Sequence, residues 1–148
     1  MTHRPPAIAI DPGQTGGGIA WKHPEEPAVA VKMPPTPRAI CRLIGNLITQ
    51  NPHFVAVLEK VGAHLDGNSA SSSAKFARHC GFLEGALEMA GVPLYPPGGV
   101  PPKKWQAALS LTRHPPIPTE WDKKAQRAER ARRKAVRKHE IQSLMQGR

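Results

Sequence analysis

The 148-residue sequence predicts a single α/β domain built on a mixed five-stranded sheet. Three observations lead to this prediction. Short apolar runs joined by tight turns open the chain, apolar residues then recur at helical spacing between further short runs, and a long Lys- and Arg-rich stretch closes it. The length suits one domain, with residues 1–118 as its body and residues 119–148 as a basic C-terminal helix of the same domain.

The first three strands are predicted from apolar runs that are separated by short turns. The run Ala7–Ile10 is fully apolar and ends at Asp11, where a Pro-Gly turn begins. Further runs follow at residues 19–21 and 28–33, with the polar turn HPEEP between them. Turns this short join antiparallel neighbours, so these runs predict a three-strand meander.

The central part of the chain alternates between helical and strand patterns. After Pro37 the apolar residues fall at i, i+3, i+4, i+7 and i+8, which predicts an amphipathic helix: Ile40, Leu43, Ile44, Leu47 and Ile48. A strand is predicted at residues 54–58, and it ends on Glu59 as the first strand ends on Asp11. The segment GAHLDGNSASSS then predicts a mobile loop, before a second helix that Gly91 ends.

The last elements are a fifth strand and two helices. Residues 92–95 are predicted as a strand, and a proline-rich connector leads to a short helix around Trp105. A long basic helix is expected from Thr119, with Asp122 completing a capping box. Because parallel strands need crossover connections, the helices are expected on the faces of the sheet.

The charge of the chain favours a polyanionic partner. The formal net charge is +10, from 21 Lys and Arg against 11 Asp and Glu, and basic side chains that neutralise phosphates release counterions. No apolar segment is long enough to span a membrane and no secretory signal is visible, so a cytoplasmic protein is expected. Cys41 and Cys80 are expected to be reduced and buried, and no histidine or cysteine spacing indicates a zinc site.

Two carboxylates are the candidate catalytic groups. In a sheet where the fourth strand lies parallel to the first, Asp11 and Glu59 would meet at the carboxyl ends of both strands, where open α/β sheets bind ligands. Carboxylates held together raise each other's pKa unless a cation lies between them. Their oxygens suit Mg²⁺ or Mn²⁺, and a pair of such ions can support phosphodiester cleavage.

The sequence resembles the RuvC family of Holliday-junction resolvases, more closely its phage-type branch, which has a ribonuclease H-like fold. The resemblance covers roughly residues 7–125 in the family's order. Its motifs are IDPGQTGG at 10–17, LEKV at 58–61, the Ser-rich loop with ARHCGFLEGAL at 77–87, VPLYPP at 92–97 and PPKKWQ at 101–106. IDPG alone is also typical of sugar kinases, but those enzymes need two such domains, and 148 residues cannot supply them.

The resemblance implies a metal-dependent endonuclease that hydrolyses four-way or other branched DNA. Asp11 and Glu59 would be its catalytic metal ligands, with two Mg²⁺ or Mn²⁺ ions per site and no nucleotide cofactor. Residues implied near the DNA are Lys60, Ser71, Ser72, Ser73, Lys75, Arg78, Lys103 and Lys104. Trp105 belongs to the same connection, although a core anchor is the favoured role for it.

The resemblance also implies a homodimer in a bacterial or phage-infected cell. Symmetric cleavage of a two-fold junction needs two active sites, and the second helix, residues 71–90, is the expected dimer surface. Core packing explains that helix equally well.

The chain departs from the family pattern at its C-terminal end. Family members contribute further acidic ligands from a terminal helix, and no matching segment is found here. Asp122 and Glu140 are the candidates for the missing ligand, although a helix-start acid is the favoured role for Asp122. Three explanations remain: a short variant that recruits one of them, a truncated gene product, or a junction-binding relative that does not cut DNA.

Overall fold

Four strands form one mixed sheet in the computed structural model. The structure describes residues 5–60, 69–108 and 117–145. Across the sheet the order is β3 (Val29–Lys32), β2 (Gly18–Lys22), β1 (Ala7–Asp11) and β4 (Val55–Leu58). The first three pair antiparallel, and β4 pairs parallel with β1. The predicted meander and the parallel pairing of the first and fourth strands are confirmed.

The prediction of a fifth strand at residues 92–95 is wrong for the described sheet. This segment pairs with β4 through one isolated parallel bridge, between Leu94 and Ala56, and the chain meets the end of β4 again where Val100 bridges Glu59. Residues 93 and 95 turn their backbone groups toward β4, and Pro93 has no N–H group to donate there. Beyond Tyr95 the chain turns, and the Gly99 N–H donates to the Pro96 carbonyl at 3.0 Å. A continuous hydrogen-bonded ladder therefore cannot form there, and the sheet has four strands.

Helix α1 (Pro37–Gln50) follows the predicted amphipathic pattern. Thr36 caps its N-terminus by accepting a hydrogen bond from the Ala39 N–H at 3.2 Å, and Pro37 occupies the first turn, where its missing N–H costs nothing. The buried side chains are Ile40, Ile44 and Leu47.

Helix α2 (Ala70–Met89) lies within one residue of the predicted span, residues 71–90. Ser69 Oγ accepts a hydrogen bond from the Ser72 N–H at 3.2 Å, so residues 70–73 of the predicted loop are helical. Residues 62–68 of that loop lie outside the described residues. Beyond the helix, Gly91 adopts a φ of 69°, which favours glycine and ends the helix as predicted.

One hydrophobic core joins the two helices to a single face of the sheet. The strands contribute Ile8, Ile10, Ile19, Ala56 and Leu58, and α2 contributes Leu83 and Leu87. Full burial of one such isoleucine or leucine is worth about 1.5–3 kcal/mol. Neither cysteine belongs to this core, because Cys41 is exposed and Cys80 is only half-buried. The prediction that both thiols are buried is therefore wrong.

Backbone contacts divide the chain into two compact units, residues 1–102 and residues 103–148. The second contains nearly all of α3 (Pro102–Ala108) and the whole of α4 (Lys123–Met145). Asp122 Oδ1 accepts a hydrogen bond from the Ala125 N–H at 2.7 Å, so Asp122 itself caps α4, instead of Thr119 in the predicted capping box. In the described part of the chain, no helix is long and apolar enough to cross a membrane. The predicted boundary between residues 118 and 119 stays a prediction.

Candidate active site

The parallel pairing of β1 and β4 brings Asp11 and Glu59 to neighbouring positions. Ile10 pairs with Leu58, and the Glu59 N–H donates to the Ile10 carbonyl at 2.9 Å. Since adjacent strands lie about 4.8 Å apart, the next residue of each strand lies close to the other. Ile10 and Leu58 face the core, so the alternation of side chains places both carboxylates on the opposite face. Asp11 is exposed and Glu59 is half-buried.

A hydrogen bond within the glycine-rich turn orients Asp11. Its Oδ1 accepts from the Gly13 N–H at 3.1 Å, an Asx turn that holds the carboxylate at the end of β1. The Gly17 N–H donates to the Gly13 carbonyl at 2.9 Å and closes the turn. A Cβ at Gly17 would collide with the backbone of Asp11 and of Gly13, so this approach requires glycine. The turn therefore orients the Asp11 carboxylate through the Gly13 N–H, and Gly17 packs closely against the backbone of the same turn.

The segment after the second helix supports Glu59. The Val100 N–H donates to the Leu58 carbonyl at 2.8 Å, and the Lys60 N–H donates to the Val100 carbonyl at 2.9 Å. Gly99 makes this contact possible, because its φ is 80° and a Cβ there would lie 2.6 Å from the Leu58 oxygen. These bonds fix the backbone on both sides of Glu59.

Cys80, on α2, is the thiol whose pKa responds to this site. Burial, then the Glu84 carboxylate and more weakly the Glu59 carboxylate, raise the pKa of the Cys80 thiol. A raised pKa keeps the thiol protonated, whereas reactive cysteines have lowered values. Asp11 and Glu59 therefore stay the candidate groups at this site.

Asp11 and Glu59 are candidate ligands for one Mg²⁺ or Mn²⁺ ion. Mg²⁺ is held in many sites by one or two carboxylates, with water and substrate phosphates completing its octahedron. Within residues 5–60, 69–108 and 117–145, no group of three or more His, Cys, Asp or Glu side chains could hold a metal. Two carboxylates would be enough for one ion, and no third acidic, histidine or cysteine ligand accompanies them in the described part of the chain.

Five predicted DNA contacts lie in the first half of α2 and are polar or basic. Ser71 and Ser72 are exposed in the first turn, Ser73 is half-buried there, and Lys75 and Arg78 follow as exposed side chains. The first turn contains no acidic residue, so the positive end of the helix dipole is not neutralised locally. Lys60 is exposed directly after Glu59. This surface can accept an anion.

The other predicted residues lie in the second unit. Lys103 and Lys104 are exposed on α3, and Trp105 beside them is half-buried. Asp122 caps α4, as described above, and Glu140 lies on the same helix with its side chain half-buried. The roles of all five at the site stay predictions.

Two contributors to the site were absent from the sequence-based predictions. Ser69 was not predicted as the cap of α2, although a Ser with small polar neighbours before a helix is a recognised signal. Gly99 was not predicted to approach β4. The Gly-Gly pair after two prolines marks a special turn, but the sequence does not say which strand the turn contacts.

Comparison with known proteins supports the fold alone. No protein-family model matches the chain, and no curated protein matches it. Among solved structures, Thermus thermophilus RuvC in complex with a Holliday junction substrate is 19% identical, with 76% of this chain and 84% of that chain covered and a TM-score of 0.50. A second structure of T. thermophilus RuvC is 20% identical, covers 75% of this chain and 72% of that chain, and has a TM-score of 0.48. The chain therefore has a mixed α/β fold similar to that of RuvC.

Proposed function

We propose that this chain is a metal-dependent endonuclease that cleaves four-way or other branched DNA. One observation carries the proposal: Asp11 and Glu59 occupy neighbouring positions at the carboxyl ends of two parallel strands. The similarity in fold to RuvC, whose solved complex contains a Holliday junction, supports branched DNA as the substrate. We also propose that the chain belongs to the phage-type branch of that family and that each site binds a second metal ion.

The residues of the chain have distinct roles in this reaction. Asp11 and Glu59 would hold the ion. The Gly13 N–H orients the Asp11 carboxylate, and the bonds of Val100 fix the backbone on both sides of Glu59, before substrate arrives. The ion would supply an activated water and would stabilise the leaving oxygen. Hydrolysis forms one new P–O bond from water and breaks one ester P–O bond, and the leaving oxygen takes up a proton.

The DNA would be held by its backbone. The exposed Lys60 follows a metal ligand, and the serines and basic side chains at the start of α2 offer hydroxyl groups and positive charge to phosphates. Lys103 and Lys104 are proposed to extend this contact. Contacts of this kind carry no sequence information, so recognition would depend on the shape of the junction.

A homodimer is part of the proposal, because two symmetric incisions need two sites. The outer surfaces of α1 and α2 form an apolar groove that includes Gly45, Phe82 and Met89, and Met89 is 89% exposed. This surface supports α2 as the dimer contact. Light scattering of the purified chain at micromolar concentration tests the dimer directly.

Cleavage of a labelled four-way junction in Mg²⁺ or Mn²⁺ tests the function. Asp11→Asn and Glu59→Gln are expected to lower the rate of incision at least 100-fold, because each removes a charged metal ligand. Glu25→Gln, which neutralises an exposed carboxylate in the turn between β2 and β3, is the matched control and should cut normally. Asp122→Asn and Glu140→Gln identify a third ligand if either also abolishes incision.

A second candidate function is a junction-binding protein without nuclease activity. It is favoured by the absence, among the described residues, of a third acidic side chain beside the pair. In that case the wild-type chain binds the junction tightly in a salt-dependent way and makes no incision with any divalent metal.

A further inference from the structure

Five basic side chains of α4 form one exposed stripe, which we call the basic stripe. It consists of Lys123, Arg127, Arg130, Lys134 and Lys138, all exposed. At about 100° per residue they fall within an arc of about 80°, and at 1.5 Å per residue they span about 22 Å. The stripe thus presents a row of positive charges, spaced about one helical turn apart.

The acidic residues of α4 leave the basic stripe unneutralised. Within the helix, the positions three and four residues away from each member hold only Lys, Arg, Ala, Gln or Ile. Glu129 instead accepts hydrogen bonds from Arg132 at 2.8 and 2.9 Å and from Arg133 at 2.7 Å, and neither arginine belongs to the stripe. Like charges at these spacings repel and weaken a helix. An anion that binds along the basic stripe from outside the helix would reduce this repulsion.

The composition of α4 distinguishes between two anionic partners, an acidic membrane and a nucleic acid. Helices that lie on acidic membranes place a broad face of Leu, Phe or Trp beside their basic face. The sequence of α4 has four large apolar residues, Val136, Ile141, Leu144 and Met145, and three of them lie in its last five positions, beyond the span of the stripe. We infer that the basic stripe binds the phosphate backbone of a nucleic acid duplex without reading its sequence. This inference goes beyond the proposed function, because it concerns a different surface and holds whether or not the carboxylates cut DNA.

The salt dependence of DNA binding tests the inference. The full chain is titrated with a fluorescent, unbranched 30-base-pair duplex in EDTA, which prevents cleavage, at several salt concentrations. The double variant Arg130→Gln/Lys134→Gln should reduce the slope of log K against log [salt] by about 1.8, because each lost phosphate contact contributes about 0.9. The same loss corresponds to roughly 60-fold weaker binding at 0.1 M salt.

A matched pair on another helix is the control. Arg38→Gln/Arg42→Gln removes two exposed charges, also four residues apart, from α1. An equal loss of affinity in both double variants would mean that only net charge matters, and it would overturn the inference. An unchanged salt slope in the α4 variant would also overturn the inference. So would an α4 variant that no longer binds phosphatidylserine vesicles, if the wild-type chain binds them, but keeps the wild-type salt slope for DNA. Circular dichroism checks that α4 stays helical, and junction cleavage in Mg²⁺, measured separately, reports on the proposed function.

Discussion

His79 is a buried histidine whose imidazole has an unpartnered nitrogen. The residue lies on the core side of α2 with 8% of its surface exposed, and among the described residues its Nε2 has no hydrogen-bond partner. The imidazole ring of His79 is stacked with the ring of Phe82, and the two ring centroids lie 6.2 Å apart. Burial lowers the pKa of His79 below its usual value of 6.5. The native state therefore favours the neutral ring.

The free energy of unfolding should consequently fall in acid. Because the folded pKa of His79 lies below the unfolded value, the unfolded state binds the additional proton. The stability that the neutral His79 ring contributes is fully present above about pH 6.5. It decreases as the pH falls from there toward the lowered pKa of His79 in the folded state. Urea unfolding between pH 5 and 8 measures this slope.

His79→Leu should flatten that slope and stabilise the protein. The substitution removes both the titrating group and the unpartnered nitrogen, whose burial costs about 1–3 kcal/mol. His53→Gln, at an exposed position before β4, serves as the control and should keep the wild-type profile. A His79→Leu protein with the original pH dependence would show that another group controls it.

At the scale of elements, the turn at Gly99 determines where the end of β4 lies. Gly99→Ala should lower the free energy of unfolding by about 1–3 kcal/mol, because alanine resists a φ of 80° and its Cβ would lie 2.6 Å from the Leu58 carbonyl. Junction cleavage should also decrease, because the bonds of Val100 fix the backbone around Glu59. Chemical unfolding and incision rates measure the two effects.

Gly45→Ala is the matched control for that substitution. A Cβ at this exposed position in α1 would meet nothing within 4 Å, so alanine should stabilise the helix by about 0.5–1 kcal/mol. Equal effects of the two alanines would contradict a special role for the turn.

Within α4, Glu129 should titrate far below an ordinary glutamate. Hydrogen bonds from Arg132 and then Arg133 lower the pKa of Glu129 from 4.5 to about 2. The stabilisation that this group contributes is present above pH 4.5 and is lost as the pH falls through about 2. An NMR titration of the side-chain carboxyl carbon gives the value, and Arg132→Gln/Arg133→Gln should return it toward 4.5.

At the scale of the whole molecule, positive charge is concentrated in the unit that lacks the carboxylate pair. Residues 1–102 contain eight Lys and Arg against seven Asp and Glu, a net charge of +1, whereas residues 103–148 contain thirteen against four, a net charge of +9. Electrostatic affinity for DNA should therefore come mainly from the second unit, and catalysis from the first.

This distribution predicts that binding and cleavage can be separated. Asp11→Asn/Glu59→Gln should bind a four-way junction in EDTA at least as tightly as the wild-type chain, because it loses two negative charges and no basic contact. The slope of log K against log [salt] should stay unchanged. A large loss of affinity in EDTA would indicate that the carboxylates contribute to the structure of the binding surface.

The sequence by itself determined the elements that depend on local patterns. The period of the apolar residues indicated α1, the apolar runs indicated the four strands, and two acids at strand ends indicated the candidate site. Each of these signals depends on neighbouring residues alone, through side-chain alternation or helical spacing. The concentration of charge near the C-terminal end was also visible without a structure.

Tertiary structure decided what depends on distant partners. The fifth strand failed because Pro93 has no N–H group to donate to β4 and the chain turns after Tyr95, and a run of apolar residues does not show which N–H groups its neighbour needs. Likewise, Gly99 contacts Leu58 from forty-one positions away in the sequence, and the unpartnered Nε2 of His79 depends on which side chains surround it. Local patterns fix what each segment can become, whereas packing fixes which segments meet, because contacts between distant residues form only when the whole chain folds.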